Sequence, residues 1–178
     1  MLQSILLSKN NLIKKTVIVF CSIFLFFINS IVNANPSISA QTLLAEWQHY
    51  QAIEKQADDM WENSAAKQSL RQVNFQDKAE REKLIRNIRQ ENLKIQNVIN
   101  QFQPKSEAVN GVLILKKAIL SKFEDLLIHQ IELSSQHLTD DDSAQQLFLQ
   151  LQYLLNIYAY AELEVKQKII DQHIEINK

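Results

Sequence analysis

Apolar residues return along this chain every three and then four positions, the spacing of helices that bury one face. In the first such stretch Leu43, Trp47, Tyr50, Glu54, Ala57, Trp61 and Ser64 fall on one stripe. It predicts a helix over about 39–71. Ser39 is placed to cap it, because its hydroxyl can accept an orphan backbone N–H. Asn63-Ser64 is a point where the helix can divide in two. The second stretch predicts a helix over about 76–102 with an inward seam of Ile85, Ile88, Asn92, Ile95, Ile99 and Phe102. Asn74 can cap it, and Asp77 favours the positive end of the helix dipole.

Pro104 ends that helix, since proline disfavours helical backbone in the residue before it. Ser106 or Asn110 can cap the third helix, which runs over about 107–136. Its apolar face is wide, with Val112, Leu113, Leu115, Ile119, Leu120, Phe123, Leu126, Leu127 and Ile131. The run from Thr139 to Ser143 separates it from a fourth helix over about 142–173. There Ala144, Leu147, Leu151, Leu154, Tyr158, Ala161 and Val165 form the most regular stripe, and Phe148 and Leu155 are expected to widen it.

Four helices of this length joined by short links predict an all-α fold, an elongated antiparallel, up-down-up-down four-helix bundle. Composition agrees, because one Gly and two Pro leave little material for the turns that sheets require.

The N-terminus reads differently. Lys9, Lys14 and Lys15 precede an apolar run from Val17 to Ile28, followed by the small-residue sequence Val32-Asn33-Ala34. This order predicts a signal peptide over 1–34, leaving a single helical domain over 35–178. The alternative is a retained anchor, since the stretch from Thr16 to Ala34 approaches the roughly 20 residues of a membrane span. Cleavage removes Lys9, Lys14 and Lys15 and takes the net charge from −1 to −4. It also removes Cys21, the single cysteine, so the mature chain forms no disulfide and depends on its core. The expected location is the periplasm or the medium, or the inner membrane if the anchor stays. An acidic mature chain argues against nucleic acid as a partner.

Candidate chemistry is sparse. His129, Glu132 and His137 can share one helix face and are the candidate metal ligands, although a metal site needs several groups converging. Glu46 and His49 have the spacing of one half of a di-iron motif without the other half. Arg81, Arg86 and Arg89 can hold a carboxylate or phosphate if they face inward; the interleaved Glu80, Glu82 and Glu91 argue instead for a solvated face of mixed charge. The acidic run Asp140–Asp142 lacks the alternation and glycine of a calcium loop. Glu54 and Asn92 are polar groups at inward seam positions, which fix register, line a ligand cavity or sit at a polar rim. Tyr153 and Tyr160 lie off the main stripe of the fourth helix and are the candidate interface residues. No cysteine nucleophile or glycine-rich phosphate loop is present after residue 34, and no cofactor is expected. The expected role is therefore a non-enzymatic module that meets a protein partner in the cell envelope. A small-molecule- or metal-binding bundle, an exported enzyme among its forms, is the other reading.

Overall fold

Helix is the only regular secondary structure among the described residues of the computed structural model, which are 38–136 and 142–176. The helices are α1 (Ala40–Glu62), α2 (Ala65–Leu70), α3 (Lys78–Asn100), α4 (Glu107–Ser135) and α5 (Asp142–Ile176). The expected leader, His137 and the acids Asp140 and Asp141 lie outside the described residues. None of the described helices is long and apolar enough to cross a membrane.

Capping chemistry sets the boundaries. Ser39 accepts from the Thr42 N–H and starts α1. Ser64 does the same for Lys67, so the expected first helix divides at Asn63-Ser64 into α1 and the short α2. Asp77, rather than Asn74, caps α3, its carboxylate accepting from the Ala79 and Glu80 N–H groups at 2.8 and 3.1 Å. Asn74 instead closes a tight turn onto the Gln76 N–H. Of the two possible starts for α4, Ser106 is the one used, bonding the Val109 N–H.

Each helix turns the stripe its spacing sets out toward its neighbours, with small rotations, and much of that stripe on α4 and α5 is half-buried. Leu43, Trp47, Tyr50, Ile53 and Ala57 of α1 meet Ile95, Ile99 and Phe102 on or just after α3, with Val109, Val112 and Leu113 of α4 and Val165 and Ile169 of α5. A second cluster joins Ala66 of α2 to Leu84 and Ile88 of α3 and Ile131 of α4. Leu84 takes the fully buried place expected of Ile85, which packs half-buried beside it.

Cross-contacts fix the helix directions. Tyr50 reaches Tyr158 while Trp47 reaches Lys166, so α1 and α5 run oppositely. Glu54 reaches Lys116 and Trp61 reaches Phe123, so α1 and α4 run the same way. Asn92 bonds Glu124 while Leu84 clusters with Ile131, so α3 and α4 are opposed. Glu46 fastens one end of this arrangement. Its two carboxylate oxygens each accept a backbone N–H at 2.9 Å, from Lys105 and Ser106, at the start of α4.

Candidate functional site

Two features depart from a plain helical core: a polar ladder inside it and an uncovered apolar face outside it.

The ladder begins on α1, where Tyr50, Glu54 and Asp58 recur four residues apart and therefore lie along one side of the helix. Lys116 of α4 sits against them, its ammonium 2.8 Å from Glu54 and 3.4 Å from Asp58. The pair is largely enclosed, with the Lys116 and Glu54 side chains 13% and 21% exposed. Tyr158 of α5 donates its hydroxyl to Glu54, and the Tyr50 hydroxyl lies 2.7 Å from that of Tyr158. Because the Tyr158 proton is committed to the carboxylate, the Tyr50 proton points at the Tyr158 oxygen. The sequence is thus Tyr50 to Tyr158 to Glu54 to Lys116. Burial pushes both phenols well above the usual tyrosine range, and for Tyr158 the bond to Glu54 adds to that shift. Both stay protonated at any physiological pH.

Beyond Lys116 a cavity of about 170 Å³ lies between α1, α3 and α4. Its walls are apolar, with Trp61 and Phe123 in edge-to-face contact at 5.5 Å, but Asp58, Asn92, Lys116 and Glu124 also line it. Asn92 is only 6% exposed and donates its amide nitrogen to Glu124, a partner within the protein. The two seam positions therefore differ. Asn92 lines the cavity, whereas Glu54 belongs to the ladder beside it.

The uncovered face lies on α5. Phe148, Leu149, Tyr153, Leu155, Tyr160, Leu163 and Ile170 are large apolar or aromatic side chains that stay substantially exposed, Tyr160 at 74%. From Ser143 to Ala161 the helix carries no charged residue. A surface helix normally turns charge outward opposite its buried stripe; here Gln145, Gln146, Gln150, Gln152 and Asn156 are the polar relief. Phe148 and Leu155, expected to widen the inward stripe, are 49% and 46% exposed. The correction follows from geometry. At 100° per residue Phe148 and Leu155 lie about 100° and 80° around the helix from the buried Val165, on the flank of the core-facing side rather than at its centre.

The other candidate residues are dispersed. Arg81 donates to the Phe75 carbonyl at 2.6 Å and steadies the turn before α3. Arg86 pairs with Glu82 in solvent, its side chain 63% exposed, and Arg89 is exposed. None of the three lines the cavity, so they do not form an inward anion site. His129 is half-buried and Glu132 exposed on α4. Among the described residues no group of three or more His, Cys, Asp or Glu is placed to hold a metal ion. His49 packs edge-on against Phe102, and Glu46 is engaged with the α4 backbone, which separates that pair's roles. Tyr153 and Tyr160 both lie on the uncovered α5 face.

Sequence reasoning missed Lys116, Asp58 and Glu124 as partners of the polar seam. Nothing in the spacing of α4 marks Lys116 as inward, and only the meeting of two helices pairs it with Glu54. Comparison with protein-family models, with curated proteins and with solved structures returns no match.

Proposed function

We propose that this chain is a non-enzymatic interaction module of the cell envelope, exported by its N-terminal segment and acting in the periplasm or outside the cell. In this reading its four long helices form an up-down-up-down bundle, with α2 as a one-turn elbow. The bundle is a scaffold that holds the outer face of α5 toward a protein partner.

The observation that supports it is the exposed apolar face of α5, uncharged from Ser143 to Ala161. Soluble monomers rarely expose contiguous apolar patches beyond a few hundred Å², and larger ones mark contact sites. The aromatic residues on this face suit that role, since Tyr and Phe are enriched at interfaces and aspartate, glutamate and lysine are depleted. Crosslinking in cells followed by recovery of the chain is the test. A stoichiometric adduct is expected with the natural sequence and not with Tyr160→Lys/Leu163→Lys. Equal recovery from both chains would refute the reading.

The cavity favours a second reading, a bundle that binds a small molecule between α1, α3 and α4. A space of about 170 Å³ admits a ligand of roughly benzene size. Native mass spectrometry of the protein from its own compartment separates the two. A mass above that of the bare chain, abolished by Ala57→Phe, supports the ligand; the bare mass removes it.

A further inference from the structure

The spacing along the uncovered face of α5 carries a symmetry. Phe148, Leu155, Ala159, Leu163 and Ile170 follow one another at intervals that read the same from either end, with Ala159 at the centre. All five are exposed. Their directions at 100° per residue stay within about 80° of one another, so they form a straight stripe roughly 33 Å long, with the exposed Gln152 and Lys166 in the same arc. An interface between two identical chains about a two-fold axis requires residue i to meet residue j while j meets i. With the axis at Ala159 and two α5 helices antiparallel, Phe148 meets Ile170 and Leu155 meets Leu163, twice over. A small residue stands where the helices approach most closely.

Charge permits the same pairing. The axis sets Lys166 opposite Gln152 and Glu162 opposite Asn156, so no like charges face each other. Lys166 and Glu162 are already paired on their own helix at 3.6 Å. Phe148, Leu155, Leu163 and Ile170 are 49%, 46%, 60% and 51% exposed, so each has surface left for a second helix to cover.

We propose that the partner seated on α5 is a second copy of this chain, in an antiparallel pairing with its two-fold axis at Ala159. This rests on the reading of α5 as the contact surface and names its occupant. The test uses the full-length chain expressed in cells with Cys21→Ser, so that an introduced thiol has no competitor. Ala159→Cys places two thiols at the axis, within the 4.4–6.8 Å Cα separation a disulfide needs. A membrane-permeant oxidant is expected to give a covalent species of twice the chain mass. Gln90→Cys, exposed on α3, is expected to give none. Leu155→Cys and Leu163→Cys crosslink to each other when co-expressed and not to themselves.

A covalent dimer from Gln90→Cys as readily as from Ala159→Cys overturns the proposal, as does an Ala159→Cys chain that stays single. In that second case a photo-reactive residue at position 160 tells the two readings apart. An adduct with a different protein leaves the interaction module standing with another partner, and absence of any protein adduct removes both readings.

Discussion

Removing the Lys116 ammonium tests whether the polar ladder ties α1 to α4. At 2.8 Å the gross attraction between Lys116 and Glu54 is about 6 kcal/mol at an effective dielectric of 20. Most of this is offset by taking both groups out of water. With side chains 13% and 21% exposed, the pair lies between the surface case, worth about 0–1 kcal/mol, and the fully enclosed one, whose rupture costs about 3–5. Lys116→Met is therefore expected to cost about 2 kcal/mol, because it leaves the Glu54 carboxylate with a tyrosine hydroxyl but no cation. Glu54→Gln is expected to cost about the same, and the double variant about 2.5 kcal/mol, a coupling of about 1.5. Urea unfolding followed by far-ultraviolet circular dichroism reads all three from the shift in midpoint, provided the slopes agree. Costs that add to within about 0.5 kcal/mol would refute the reasoning, since independent sites behave in that way.

Three further outcomes follow from the same interior. Tyr50 and Tyr158 keep their protons in the folded chain to higher pH than in the unfolded one. Their contribution is fully present below about pH 10 and lost as pH rises above it, by up to about 1.4 kcal/mol per pH unit for each tyrosine; urea midpoints between pH 9 and 11 should show this decline, and Tyr50→Phe/Tyr158→Phe should flatten it. Asn92→Leu leaves the half-buried Glu124 without its amide donor and is expected to cost about 1–3 kcal/mol, much of it regained in Asn92→Leu/Glu124→Leu, as thermal or urea unfolding would show. Gly111 lies inside α4 with open space where a Cβ would stand, so Gly111→Ala is expected to stabilise by about 0.5–1 kcal/mol and raise the melting temperature by a few degrees.

Apolar periodicity was enough to find the helices and most of their buried sides, because a 3.6-residue repeat is a property of one segment alone. Ser39 was equally readable, since capping is local, and Asn63-Ser64 was readable as a point of division. Where two local solutions competed, at Asn74 against Asp77 and at Ser106 against Asn110, the choice depended on which helical turn the rest of the fold extended. The candidate site was less legible. Asn92 stood out as polar on an apolar seam, but the partner that satisfies it, Glu124, sits 32 positions away on another helix. Arg81, Arg86 and Arg89 looked clustered in sequence, yet a helix sends them in different directions and their neighbours engage two of them separately. Phe148 and Leu155 were misassigned for a related reason. Hydrophobicity reports that a side chain gains by leaving water, without saying whether its own core or another chain covers it.

The central claim is that the outer face of α5 is covered in the cell. Hydroxyl-radical footprinting of Phe148, Tyr160 and Leu163 measures this directly, in intact cells and in purified chain diluted until it is single. Leu93, exposed on α3, serves as the reference. The three α5 residues are expected to oxidise markedly more slowly in cells than in the dilute chain, while Leu93 reacts alike in both. Equal rates for all four residues in the two settings would contradict it.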